Sequence, residues 1–390
     1  MSDFDTVIPR RGTGSLKWDK RPGLDPFWVA DMDFPSPPAV LEALRERVEF
    51  GIFGYAVPHP GIEEAITGYL RERHGIDVPA STLVHLGGLV PALSLAGRAF
   101  AEPGEAVATC TPVYPPFLGI HRDSGLDLIT IPHVMVDGRW QFDWEALEET
   151  VTPKTRLFIL CHPQNPLGRV FSRAEVLRIA EFCARHDLVL ISDEVHCDLI
   201  FDEQRTPFHS ALHLPPDLMS RTVVLLSPSK TYNLAGLGYA CAVIPDEGLR
   251  RRFSIARGHL LPEINCLAYY AAEAAYRHGE SWRQELLACL RRNRDLVTAF
   301  AHDHLPGVVI PDIEATYLAW MDFRPLGIKE PARFLEQEAG LFLSDGRYFG
   351  APGHVRLNFG CPHQRLHQAL DKIRNAVAKA RPDPPPGNAE

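Results

Sequence analysis

From about residue 105 to 245 the chain alternates short apolar runs with stretches whose apolar positions recur every three or four residues. Leu157–Leu160, Leu188–Ile191 and Val223–Leu226 are too short for helices, and none alternates apolar with polar residues. Such runs predict strands covered on both faces, as in a largely parallel sheet flanked by helices. Between two of them, Ser172 and Glu175 have the spacing of a capping box, and Val176, Leu177, Ala180 and Ala184 supply one apolar helix face. Upstream, Ser36-Pro37 is a helix start followed by Val40, Leu41, Leu44 and Val48 at helical spacing. Leu89, Leu93, Ala96 and Phe100 mark another helix, opening after Gly87-Gly88. The order is α/β with a mostly parallel central sheet.

The texture changes beyond residue 250. A long Arg-rich amphipathic helix, Trp282 to about His302, precedes strand-like runs at Thr316–Met321, Leu341–Leu343 and Val355–Asn358, with helical patterns at Pro331–Ala339 and Leu366–Ala380. This reads as a smaller α+β domain. The first thirty-five residues are irregular and rich in Gly, Pro and Trp, and hold two dense segments, Ser15-Leu16-Lys17-Trp18-Asp19 and Trp28-Val29-Ala30-Asp31-Met32-Asp33-Phe34. The expected division is a large domain over residues 50–285, a small domain from residues 1–49 and 286–380, and a disordered Pro-rich tail over 381–390.

Composition narrows the partners. At 45% hydrophobic and 23% charged residues, the 390-residue chain reads as an ordinary soluble protein. A net charge of -9 gives no reason to expect nucleic acid or an anionic membrane as a partner. Eight cysteines without CxxC pairs indicate neither a disulfide framework nor a zinc site, so no metal is expected. They read as small buried hydrophobes in a reducing compartment. The start MSDFDTVIPRR lacks a signal-peptide core, and no apolar run reaches membrane-spanning length. A cytoplasmic location is expected.

The candidate chemistry starts at Ser227-Pro228-Ser229-Lys230-Thr231-Tyr232-Asn233, which begins as the apolar run Val223–Leu226 ends. A lysine at the end of a buried strand is either a solvated loop residue or a group kept for chemistry, because desolvating an ammonium is costly. Taken as chemistry, Lys230 would hold the aldehyde of pyridoxal phosphate, with Ser227 and Ser229 bonding its phosphate. Such a cofactor also needs a carboxylate for its pyridine nitrogen, backbone N–H groups at a helix start, and an arginine for the substrate carboxylate. Asp193, where Leu188–Ile191 ends, is the carboxylate or a turn aspartate. Gly88 and Leu89 precede a helix and cradle a phosphate or form an ordinary turn. Tyr114 stacks on a ring or packs in its loop, and Asn165 bonds the phenolic oxygen or sets a turn. Arg356, a charge inside an apolar strand pattern, is a surface residue or a carboxylate clamp.

In this chain order, Gly88, Tyr114, Asn165-Pro166-Leu167-Gly168, Asp193, Ser227-Pro228-Ser229-Lys230 and Arg356 resemble the aminotransferase class I/II family. More narrowly, the chain is similar to the cysteine–sulfur β-lyases of cystathionine β-lyase type. That narrowing rests on the two N-terminal segments, Gly51-Ile52-Phe53-Gly54-Tyr55, Val90-Pro91-Ala92-Leu93, Ser192-Asp193-Glu194-Val195-His196, Lys230-Thr231-Tyr232-Asn233-Leu234-Ala235-Gly236-Leu237, and Thr316-Tyr317-Leu318-Ala319-Trp320. The resemblance covers all but about the last ten residues. It implies the pyridoxal-phosphate fold type I, with Lys230 linked to the cofactor and Asp193 pairing with its pyridinium. Tyr114 would stack on the ring, Asn165 would bond its phenolic oxygen, and Gly88, Leu89, Ser227 and Ser229 would hold the phosphate.

The resemblance further implies a homodimer with shared active sites, in which Tyr55 reaches the neighbouring subunit's phosphate. Arg356 would clamp the substrate carboxylate, Asn165 would also face the substrate, and Ala30 and Asp31 would line the entrance. His196 would contact the ring oxygen, support Asp193, or simply pack. Three positions depart from the lyase pattern: Gln164 where histidine is common, Tyr232 where phenylalanine is usual, and Tyr69 near a common tryptophan. The implied activity is elimination of a thiol from cystathionine or another S-substituted L-cysteine, with Lys230 or Tyr114 assisting the leaving sulfur. The alternative is transamination, or another reaction with the same cofactor, on a sulfur-containing amino acid. A non-enzymatic role would leave this residue set idle.

Overall fold

The computed structural model describes residues 2–258 and 261–380. The Pro-rich tail expected to be disordered lies outside the described residues. The chain divides into two compact units, one holding Pro35–Ala288 with Ile313–Thr316, the other Asp3–Phe34, Cys289–Asp312 and the chain from Tyr317 onward.

The first unit is built on an eight-stranded sheet. Its strands are β1 (Leu83–Leu86), β2 (Ala106–Thr111), β3 (Asp127–Val136), β4 (Arg139–Phe142), β5 (Thr155–Cys161), β6 (Val189–Asp193), β7 (Thr222–Leu226) and β8 (Ala240–Val243). Their spatial order is β1-β8-β7-β6-β5-β2-β3-β4. The run β7-β6-β5-β2-β3 is parallel, while β8 is antiparallel to both its neighbours and β4 is an antiparallel edge. The unbroken apolar runs follow from burial on both faces. Leu157, Ile159, Ile191, Val223 and Leu225 enter one core cluster, and Phe158, Leu160, Leu190, Val224 and Leu226 enter the other. The α/β reading holds.

Helices cover the sheet where the periodicity placed them. The Ser172–Glu175 capping box forms and opens a helix over Arg173–Arg185, whose Val176, Ile179, Ala180, Phe182 and Cys183 are buried. The helix α1 (Pro38–Phe50) departs from expectation at its start. Ser36 does not cap it; its hydroxyl donates to the Asn233 carbonyl at 3.2 Å, and Pro37-Pro38 pre-set the first turn. The helix α2 (Leu89–Phe100) begins immediately after Gly88, as its pattern predicts.

In the second unit, β9 (Leu318–Asp322), β10 (Ser344–Asp345) and β11 (His354–Asn358) form an antiparallel sheet with β11 in the middle. The strand expected from Thr316 starts at Leu318 because Thr316 has a φ of 73° and donates its N–H to Leu199. Helices over Pro331–Ala339 and His363–Ala380 match the periodic stretches. All eight cysteines are free and buried, as their use as small hydrophobes requires.

Candidate active site

Strand direction gathers the candidate residues. β1, β2, β5, β6 and β7 all end on one edge of the large sheet, because the two antiparallel steps through β8 restore the direction of β1. Across that edge stand Gly87-Gly88 after β1, the Ser227–Lys230 turn after β7, Asp193 ending β6, the Asn165 loop after β5 and the Tyr114 loop after β2. Neighbouring strands are about 4.8 Å apart, so residues separated by up to 142 positions in sequence (Gly88 to Lys230) share one short strip. The carboxyl edge of such a sheet is where α/β proteins bind ligands.

Asp193 pairs in register with Cys161 on one side and Leu225 on the other, and its carbonyl accepts from the His162 N–H at 2.9 Å. Its carboxylate is buried and accepts from the Val195 N–H at 3.2 Å, so it does shape the turn as well. Burial pushes the Asp193 carboxyl up to about 6, against the opposing pull of Val195 and of the Lys230 charge. Lys230 is half-buried, held beside two anchored neighbours, Thr231 and Tyr232, which are both buried. Its turn is closed by Tyr232 N–H to Pro228 and Leu234 N–H to Ser229. The Ser227 hydroxyl donates to the Tyr239 carbonyl at 2.6 Å and accepts from the Ser229 N–H at 3.1 Å, which fixes where the turn leaves β7.

Gly88 has a φ of 141°, a conformation open to glycine, and is the N-cap of α2. The positive end of α2, opening at Leu89, therefore faces this edge. A side chain on Gly238 would come within 3.1 Å of the Gly87 carbonyl, so that loop packs directly against the segment following Lys230. Tyr114 is half-buried with its ring 6.4 Å from Phe117. Asn165 is buried, its N–H donating to Cys161 Sγ at 3.4 Å. His196 is buried in the turn following Asp193, where its carbonyl accepts from the Leu199 N–H.

Sequence reasoning missed two groups here. Glu194 is buried beside Asp193, accepts from Ser192 Oγ at 2.9 Å and Ala211 N–H at 2.8 Å, and is pushed up to about 7 by burial. The Asp-Glu pair was visible, but the burial of the second carboxyl depends on a segment some seventeen residues away. Gln164, in sequence only a departure from the lyase pattern, donates its amide to the Pro112 carbonyl at 2.9 Å and so ties the Tyr114 loop to the Asn165 loop. Replacing it with leucine leaves a buried carbonyl unpaired. Gln164→Leu is expected to lower stability by about 1–3 kcal/mol, seen as an earlier urea midpoint at unchanged slope.

Of the other departures, Tyr232 is interior and Tyr69 is half-buried. Tyr69 donates to Asp198 at 2.8 Å and bonds His74 at 2.9 Å, while Tyr232 is buried close against Gly279 and Trp282. Tyr55 stands apart, fully exposed in the irregular segment after α1.

Arg356, Ala30 and Asp31 belong to the second unit. Arg356 is buried on β11, which removes the surface-facing explanation, and its Nη2 donates to the Trp28 carbonyl at 2.8 Å. The buried Ala30 accepts from the Tyr317 hydroxyl at 3.0 Å, and Asp31 pairs with Arg10 at 2.9 Å.

The family Aminotransferase class I and II matches residues 27–373. The chain belongs to that family. It is 38% identical to cystathionine beta-lyase PatB of Bacillus subtilis over 96% of this chain and all of that protein. The crystal structure of OvoB matches with a TM-score of 0.92 and 38% identity, covering 96% of this chain and 99% of that one. Cystalysin from Treponema denticola, solved with pyridoxal 5'-phosphate, matches with a TM-score of 0.92 at 30% identity, covering 98% of this chain and all of that one. The fold is that of the pyridoxal-phosphate fold type I enzymes.

Proposed function

We propose that this protein is a pyridoxal-phosphate-dependent carbon–sulfur β-lyase, which removes a thiol from cystathionine or another S-substituted L-cysteine and leaves pyruvate and ammonia. The observation that carries the reading is the pairing, on adjacent strand ends, of a buried Asp193 whose ionisation burial opposes with a half-buried Lys230 whose charge assists it. A buried carboxylate of this kind gains from a second cation, and a protonated pyridine nitrogen is one. The glycine-capped start of α2 on the same edge suits a phosphate. The activity named for PatB and the cofactor of cystalysin support the same reading.

When bound, the cofactor supplies an electron sink for the charge left at Cα as its proton departs. Lys230, on the same strip as Asp193, would take that proton as the neutral amine that a base must be, having given up its own proton in bonding to the cofactor. Asp193 keeps the ring nitrogen protonated. Gly88, Leu89 and Ser229 would hold the phosphate, while Ser227, expected from the sequence to share in that, spends its one hydroxyl proton on the Tyr239 carbonyl and braces the turn instead. Tyr114 stacks on the ring, Asn165 donates to its phenolic oxygen and faces the substrate, and His196 packs behind Asp193. Arg356 binds the α-carboxylate, and Ala30 and Asp31 shape the approach. Lys230 or Tyr114 gives a proton to the leaving sulfur, and water hydrolyses the remaining enamine.

The active form is a homodimer. Val48, Phe50, Ile52, Phe53, Tyr55 and Val57 form an exposed apolar run that a second copy would cover, bringing Tyr55 to the neighbour's phosphate. Eight free thiols suit a reducing cytoplasm, and among the described residues no helix is long and apolar enough to cross a membrane. Incubation of the loaded enzyme with cystathionine and no keto acid is expected to release pyruvate and a free thiol in equal amounts. Product appearing only after a keto acid is added would instead make the protein a transaminase.

A further inference from the structure

We propose that Ser344 is a positioning residue for Arg356 and sets how tightly an α-carboxylate is held; this rests on the carboxylate-binding role proposed for Arg356. Ser344 and Arg356 face each other in register on β10 and β11. The Ser344 hydroxyl lies 2.7 Å from the Trp28 carbonyl and 3.3 Å from Arg356 Nη2, and Nη2 is itself 2.8 Å from that same carbonyl. A hydroxyl has one proton. The Trp28 carbonyl can only accept, so that proton goes to it and the Ser344 oxygen accepts from Nη2. The two acceptors lie 2.7 Å apart on one side of Nη2, so one Nη2 hydrogen is divided between them and the guanidinium plane is set without committing the whole fork; its central carbon lies 4.8 Å from the centre of the Phe349 ring. A carboxylate needs a guanidinium whose plane is already set, since bidentate pairing is lost with a small rotation.

The anchor itself is immobilised by the two N-terminal motifs, whose chemistry is otherwise unexplained. Trp28 donates its indole N–H to the Lys17 carbonyl at 3.1 Å. Asn358, two residues beyond Arg356, donates to the Val29 and Asp31 carbonyls at 2.6 and 2.7 Å. Beyond them the buried Asp33 accepts from Lys17 Nζ at 3.0 Å, Trp18 Nε1 at 2.9 Å and Arg365 at 3.1 Å. The stretch Trp28–Asp31 is thus laced to β11, Asp33 ties its end to Lys17, Trp18 and Arg365, and the Trp28 carbonyl is held where Ser344 and Arg356 meet it.

Ser344 is only half-buried, so truncating it should spare the fold. Ser344→Ala is expected to raise KM for cystathionine and the dissociation constant for L-alanine, which has no leaving group, by roughly 3–10-fold. The turnover number should stay within about 2-fold, and Ser344→Thr should restore both constants. In an Arg356→Ala background the same serine change should add nothing. The proposal is overturned if Ser344→Ala lowers turnover at unchanged KM, or costs as much without Arg356 as with it. If Arg356→Ala raises KM strongly while Ser344→Ala does nothing, this proposal alone fails. If Arg356→Ala leaves KM unchanged, the carboxylate reading fails and takes the proposal with it.

Discussion

Lys230→Ala is expected to reduce thiol release from cystathionine by at least about 10³-fold, because the base that removes the Cα proton disappears with the side chain. The fold should survive. Lys230 is half-buried, its neighbours Thr231 and Tyr232 anchor the turn, and the bonds closing that turn are made by backbone groups. The variant is also expected to lose the yellow colour of a protein-linked cofactor and to gain no mass on borohydride treatment. Its Asp193 would lose the positive charge that helps it ionise, so its carboxyl should titrate still higher than about 6. Exogenous primary amines should recover part of the turnover by replacing the missing amine. Full activity in the purified variant would end the assignment, since the proposed chemistry has no other base on this strip.

What made this site legible was its attachment to strand ends. Lys230, Asp193 and Asn165 each follow an apolar run, and the run predicts both the strand and the edge at which it stops, whereas the strand before Tyr114 has no such run. Parallel pairing then does the rest, because parallel strands all deliver their C-terminal residues to one edge. The sequence alone did not show which of several loops would be tied together. Gln164 reads as an ordinary turn residue until β2 and β5 are known to be neighbours, after which its reach to Pro112 is expected. Ser344 stayed invisible for a similar reason. Its importance comes from lying opposite Arg356, and the pairing of β10 with β11 is recorded in neither residue's local pattern.

The errors were local rules overruled by distant partners. Ser36 has the residue type and position of a helix cap, but its hydroxyl found the Asn233 carbonyl nearly two hundred residues away. Thr316 is β-branched and precedes an apolar run, which favours strand, but its N–H is claimed by Leu199 and its backbone turns to a φ of 73°. Arg356 shows the converse. An arginine in a strand usually points to solvent, and burial at this position is understood only once the Trp28 carbonyl and the Phe349 ring are seen beside it.

Asp193→Asn is expected to act in opposite directions on function and on stability. With the cofactor bound, the neutral amide cannot hold a proton on the ring nitrogen, and turnover should fall by about 10²–10³-fold as that electrostatic support is lost. Without the cofactor, the native aspartate is a cost. Its folded carboxyl titrates at about 6 against an ordinary value of 3.8, so its protonated form is favoured by folding. The corresponding stability is fully present below about pH 4 and is lost as pH rises through 6. At pH 7 or above that loss amounts to at most about 3 kcal/mol, since each tenfold change in an ionisation constant is worth about 1.4 kcal/mol. The asparagine variant escapes it, and its amide oxygen can still accept from Val195. Cofactor-free Asp193→Asn should therefore melt higher than the cofactor-free native protein at pH 7.5, and the gap should close as the pH is lowered toward 4. Glu194, pushed up to about 7 by burial and further by the Asp193 charge, weakens both proteins over a similar range, but less in the asparagine variant, which widens the difference in the same direction. A variant that is less stable than the native protein at pH 7.5 would mean that Asp193 is held for packing. A variant more stable and nearly inactive would mean that the strand end keeps a buried carboxylate at its own expense, for the cation it is built to meet.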